Sequence, residues 1–220
     1  MIAVLAALFA LPVARAQDPV DVGVVTDSEQ AVVQPILYPK AETTEVTATV
    51  GLLPFDVYTV APTVQLGVVR HLDEALAVGG VLGVGYGLKT AAYRHLETDY
   101  GVAPYAFRYL GSVLGGVTWS PVYAKANLDG ARIVHFDAYL AARAGVSLEQ
   151  SVLPGGGMPI APTLSPALGT RIFLGRNLGL HAELRDDFLL ERRELTRSLR
   201  LKQDAMVLLG ISIFYRSTTP

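Results

Sequence analysis

Between Thr43 and Tyr215 the chain alternates apolar and polar residues with a period of two, in eight runs separated by breaks. The first run, 43–53, sets Val46, Ala48, Val50 and Leu52 against Glu45, Thr47, Thr49 and Gly51. The second, near 59–70, sets Val64, Leu66 and Val68 against Thr63, Gln65 and Gly67, and the third, near 75–86, sets Leu76, Val78, Leu82, Val84 and Tyr86 against small residues. In the fourth, 105–120, Tyr105, Phe107, Tyr109, Val113, Val117 and Trp119 share a parity. The fifth, 133–146, opposes Val134, Phe136 and Leu140 to His135, Asp137, Tyr139 and Arg143. The sixth, 164–174, opposes Leu164, Leu168 and Ile172 to Ser165, Gly169 and Arg171. The seventh, 178–188, opposes Leu178, Leu180 and Leu184 to His181, Glu183, Arg185 and Asp187. The last, 205–215, carries Val207, Leu209, Ile211, Ile213 and Tyr215 on one face.

The breaks alternate in length. Connections at 54–58, 87–104, 147–163 and 188–203 take turns with those at 71–74, 121–132 and 175–177. Short turns at one end and longer loops at the other suit an up-and-down meander with both ends of the ring on the short-turn side. Which face is apolar then separates two kinds of eight-stranded barrel. A soluble ligand carrier is apolar inside and polar outside. A row of His181, Glu183, Arg185 and Asp187 cannot line such a cavity, but it suits the lumen of a barrel whose outer face meets lipid. The expected fold is therefore all-β, an eight-stranded antiparallel transmembrane β-barrel.

Composition agrees. Of 220 residues 51% are hydrophobic and 17% charged, against about 25% charged in an ordinary soluble domain. Mean hydropathy is +0.37. No run reaches the ~18 uninterrupted apolar residues of a spanning helix. A net charge of −2 leaves no footprint for nucleic acid, and the absence of cysteine removes disulfides, thiolate metal sites and a lipoprotein anchor. Met1–Val13 followed by Ala14-Arg15-Ala16 reads as a signal peptide cleaved after Ala16, which sends the chain to a bacterial outer membrane. The expected organisation is signal peptide 1–16, periplasmic leader 17–41, barrel 42–215 and tail 216–220.

Aromatics at the two ends of an apolar band mark membrane interfaces. Tyr105, Phe107 and Tyr109 are expected at the outer end of the fourth run, with Trp119 and Tyr215 at the inner end. The candidate site is the polar face: Asp137, Tyr139, Arg143, Arg171, His181, Glu183, Arg185 and Asp187. Across the Gly175–Asn177 turn, Arg171 falls opposite His181, and Asp137 comes near it from the fifth strand. Arg171 is expected between Asp137 and Glu183, in a salt-bridge network that fills a narrow lumen. No catalytic residue, metal or cofactor is expected, since no Gly-x-Ser-x-Gly elbow occurs. Val84-Gly85-Tyr86-Gly87 lacks the flanking helices of a potassium filter, and Gly155-Gly156-Gly157 lacks the Lys-Ser or Lys-Thr of a phosphate loop.

Val33-Gln34-Pro35, Tyr38-Pro39-Lys40, the stretch Trp119-Ser120-Pro121-Val122-Tyr123-Ala124-Lys125 and Glu183-Leu184-Arg185-Asp186-Asp187-Phe188 resemble the small outer-membrane β-barrel domain family of the myxobacterial type. The resemblance covers about residues 32–215, with Ala124 standing where that family has glycine. It implies an exported single-domain barrel with no assigned activity. The expected role is structural or one of surface-loop display, with a narrow pore or a lipid-modifying enzyme as alternatives. Expected partners are outer-membrane lipid and lipopolysaccharide, the barrel-assembly machinery during biogenesis, and a protein met through the external loops.

Overall fold

The strands follow the alternation, and each runs nearly as long as its pattern or longer. The structure, a computed structural model, describes residues 36–54, 56–128, 132–153, 156–192 and 199–216. The signal peptide, its cleavage site, most of the leader and nearly all of the tail lie outside the described residues. The elements are β1 (Thr43–Leu53), β2 (Thr59–His71), β3 (Leu76–Gly85), the two-residue β4 (Leu88–Lys89), α1 (Ala91–Asp99), β5 (Phe107–Leu128), β6 (Arg132–Ser151), β7 (Ile160–Phe173), β8 (Leu178–Arg192) and β9 (Leu199–Arg216).

Every long strand pairs antiparallel with its sequence neighbours, and β1 pairs with both β2 and β9, so the eight long strands close into a ring. Following partners once around the ring returns to β1 about ten residues further along, the stagger that tilts the strands of a closed barrel. Asp73 closes the β2–β3 turn: its Oδ1 accepts the N–H groups of Leu76 at 2.6 Å and Ala75 at 2.7 Å. Those two bonds hold its pKa below the ordinary carboxylate value.

Closure sorts the two faces. Val50, Leu66, Leu82, Val113, Leu140, Leu168, Leu184 and Leu209, one from each long strand, are all exposed on the outside. Thr49, Gln65, Ser112, Arg143, Ser165 and Arg185 are buried inside. The barrel is apolar outside and polar inside, the inverse of a soluble fold.

Four connections differ from the sequence expectation. The 121–132 and 188–203 stretches are largely strand: Val122↔Ala138 through Leu128↔Arg132 and Leu189↔Lys202 through Arg192↔Leu199 remain paired. Residues 147–151 and 160–163 are paired as well, from Leu148↔Ile160 to Gly145↔Thr163. The 87–104 loop contains α1, whose N-cap Thr90 accepts the Tyr93 N–H at 3.3 Å. Tyr93 is buried against Ala106, Val152 and Tyr58, so the helix packs on the loop end of the barrel.

β5 carries two bulges, between Tyr109 and Gly111 and between Trp119 and Val122. Each inserts one extra residue opposite β6 and reverses the in-out parity beyond it. The second coincides with Pro121, which has no N–H to give to a ladder. The first corrects the aromatic assignment. Phe107 and Tyr109 are buried, and the Tyr109 hydroxyl lies 2.8 Å from Ser112 Oγ inside the barrel. Tyr105 is half-buried at the loop end, edge-on to Phe107 at 5.0 Å. Of the expected girdle only Trp119 and Tyr215 lie exposed on the outer face. Toward the loop end Tyr86 is exposed, and its hydroxyl accepts from Arg108 Nη1 at 2.6 Å.

Candidate functional site: the charged lumen

The interior charges form four groups stacked from the turn end to the loop end. In the lowest, Arg171 of β7 donates to Asp137 of β6 at 3.1 Å and lies 3.3 Å from Glu45 of β1 through Nε. Glu45 also meets His71 Nε2 at 2.9 Å. Lys40, ahead of β1, buries its ammonium on the same Asp137. The backbone turns into β1 at Glu42, whose φ of 60° is left-handed. Glu74 accepts the Lys40 and Ala41 N–H groups at 2.9 and 3.1 Å. Tyr38 stacks on Phe173 at 5.5 Å and meets His135 edge-on. Residues 38–41 thus strap across the turn end of the barrel.

The second group centres on Glu183 of β8. Arg143 donates to it twice, at 2.8 and 2.7 Å, in the planar fork geometry that suits a carboxylate. The Tyr139 hydroxyl donates to it at 2.7 Å and lies 2.9 Å from His181 Nε2. The Tyr139 ring covers Gly169 on β7 and carries the Arg171 guanidinium 4.5 Å from its centroid. A Cβ on Gly169 would lie 2.6 Å from Tyr139 Cε1, so any larger residue here must displace that ring.

In the third group Arg185 meets Asp187 through Nε at 3.1 Å and donates to Gln65 at 2.8 Å. Met206, fully buried, touches both Arg185 and Gln65 through its sulfur. In the fourth, Lys202 lies 2.5 Å from Glu149, 2.9 Å from Asp204 and 3.9 Å from Glu191.

All eight residues expected on the polar face are inside and all enter this stack. Arg171 does lie opposite His181 and Asp137 in the strand register. One pairing differs: Glu183 is taken by Arg143, and the second acid of Arg171 is Glu45. The reason is closure. β1 and β7 are separated by β9 and β8 in the ring, and Glu45 reaches Arg171 across the lumen, not along the wall. Sequence reasoning placed Glu45 and Gln65 on the polar face without assigning them partners, and it left Lys40, His71, Glu149, Glu191, Lys202 and Asp204 out of the site. For the last four the signal was present: continuing the period of two past 146, 188 and 205 puts them all on the inner face.

The enclosed space among Glu45, Thr47, Tyr139, Arg143, Arg171 and Glu183 is ≈ 20 Å³, about the room of one water. Among the described residues no group of three or more His, Asp or Glu is placed to hold a metal ion.

No protein-family model matches the chain, and no curated protein does. Among solved structures, the outer membrane protein OprG from Pseudomonas aeruginosa is 9% identical, with 83% of this chain and 100% of that one covered and a TM-score of 0.47. Neisserial surface protein A is 12% identical over 79% of this chain and 94% of that one, at a TM-score of 0.42. The attachment invasion locus protein Ail of Yersinia pestis is 14% identical over 79% and 97%, at 0.41. The barrel described above stands on its own strand pairing.

Proposed function

We propose that this chain is an integral protein of a bacterial outer membrane, a sealed barrel whose work is done by what it presents outside. The observation that carries this reading is the inversion of polarity. A continuous ring of exposed aliphatic side chains surrounds an interior of buried Arg, Lys, Asp and Glu. In water the outer face would be an apolar patch far larger than a soluble monomer tolerates. In lipid it is the solvated face, and where each long strand has a partner on both sides closure leaves no edge of unpaired N–H and C=O groups. The narrower kinship with the myxobacterial type rests on the short motifs alone.

The filled lumen favours a structural or display role over conduction. Arg143, Arg171 and Arg185 cross it at three heights, each bonded to an acid, and the strap 38–41 covers its turn end. The buried histidines each have a partner, His71 in Glu45, His135 in Tyr123 and His181 in Tyr139, and they count here as filling, not as catalytic bases. The loop end, with α1 and the projecting β8–β9 hairpin, is the surface offered to lipopolysaccharide or to a protein partner.

The test is fractionation of cells expressing the full chain, with migration of unheated and boiled samples compared on a gel. The expected result is outer-membrane location, a mobility shift on boiling, and protease cleavage from outside within 86–106. A soluble protein with one mobility would overturn the reading.

A further inference from the structure

The topmost group of lumen charges is built differently from those below. Lower down, cations and carboxylates balance: Lys40 and Arg171 with Asp137 and Glu45, Arg143 with Glu183, Arg185 with Asp187. At the loop end, among the described residues, three carboxylates, Glu149, Glu191 and Asp204, face the ammonium of Lys202. Lys202 is spent on Glu149 and Asp204. Glu191 is 3% exposed, stands 3.9 Å from that ammonium and has no hydrogen-bond partner on Oε1. A buried carboxylate oxygen that no donor reaches costs free energy, and a second cation would lower that cost.

There is room for one. Glu191 and Asp204 line an outward-opening cavity of ≈ 350 Å³ at the barrel mouth, walled by Tyr58, Tyr105 and Phe107. Asp56, also on its wall, is occupied in bonding Tyr58 N–H and the Thr59 hydroxyl. Arg200 and Lys202 share the lining, so the mouth is not uniformly acidic. Carboxylates on a floor with aromatic walls recognise an organic ammonium: the acids take the charge, the rings take the hydrocarbon and the cation's face. A compact metal ion fits less well, because the Lys202 ammonium already occupies the point on which the three acids converge.

We infer that the mouth cavity binds a small organic cation, a primary ammonium on an apolar or aromatic body, with Glu191 and Asp204 as its anionic contacts. This does not depend on the display reading, since the cavity is a feature of the mouth alone.

The test titrates the folded full chain in detergent micelles with phenethylammonium chloride, and in parallel with neutral phenethyl alcohol, following tyrosine fluorescence. The expected result is saturable binding of the ammonium and none of the alcohol. Glu191→Gln and Asp204→Asn should each weaken it about tenfold, and Arg200→Ala should strengthen it. Heat-modifiable migration checks that each variant is folded. An equal response to the alcohol overturns the inference, as does unchanged affinity in folded Glu191→Gln and Asp204→Asn, or a wild type that saturates with magnesium chloride and not with the ammonium. The alcohol comparison uses wild type alone, so it decides even if a variant fails to fold.

Discussion

Arg171 shows how much one side chain ties together. It is 2% exposed and joins β7 to β6 through Asp137 and to β1 through Glu45. Arg171→Met would leave two buried carboxylates with reduced compensation and should cost about 3–5 kcal/mol, read from urea unfolding in micelles or bilayers. A double-mutant cycle should give strong coupling between Arg171 and Glu45, and between Arg143 and Glu183, with a smaller value for Arg171 and Glu183. Equal coupling of Arg171 to the two glutamates would contradict the partners described here. Gly169 is the second sensitive residue. Gly169→Ala would push the Tyr139 ring off its seat and with it the hydroxyl that serves Glu183. The expected loss is about 1–3 kcal/mol, and Tyr139→Phe in the same background should add little, because its bond is already broken.

Strands, not loops, carry the assembly. On the outer face Leu140 lies near the middle of β6, half exposed. Leu140→Arg should cost about 2–4 kcal/mol in bilayers, whereas a polar change on the inner face is decided by packing. Folding of Leu140→Arg as readily as wild type would reverse the assignment of faces. The connections divide by whether their backbone is paired. Replacing α1, residues 91–99, by a short flexible linker should leave every long ladder intact and preserve heat-modifiable migration, because α1 packs on the barrel end through Tyr93 and the Glu97–Lys89 pair and belongs to no long ladder. Deleting 150–160 should do worse than deleting 153–158, since the longer cut removes Gln150 and Ser151, paired with Arg108 and Phe107, and Ile160, paired with Leu148. Equal assembly of the two deletions would count against those extended ladders.

At the scale of the whole barrel, eight strands enclose an interior crossed by paired charges, with ≈ 20 Å³ of free space among Glu45, Tyr139, Arg143, Arg171 and Glu183. Planar-bilayer recordings on the wild type should therefore show no steady ion steps. Stable conductance altered by Arg171→Met or Arg143→Met would instead make the lumen a pore. Lys40→Ala removes the ammonium that the strap brings to Asp137, and should raise protease access to 38–41 without opening a conducting path, because the three arginines above remain.

The sequence by itself determined the fold class and the two faces. A period of two survives any arrangement of the strands, so Leu140 outside and Arg143 inside could be read from spacing alone, as could the opposition of Arg171 to His181 across a three-residue turn. The ends of the strands were less legible. The outer halves of β8 and β9 carry Glu191, Arg200 and Lys202, whose charges read as loop until the ladder shows them paired. Only the tertiary structure decided two further matters. An extra residue at Leu110 turns Phe107 and Tyr109 inward, and nothing in local periodicity marks where a bulge falls. Closure with a stagger brings Glu45 and Lys40 to the charges of β6 and β7, contacts across the lumen that the pairing of sequence neighbours does not contain.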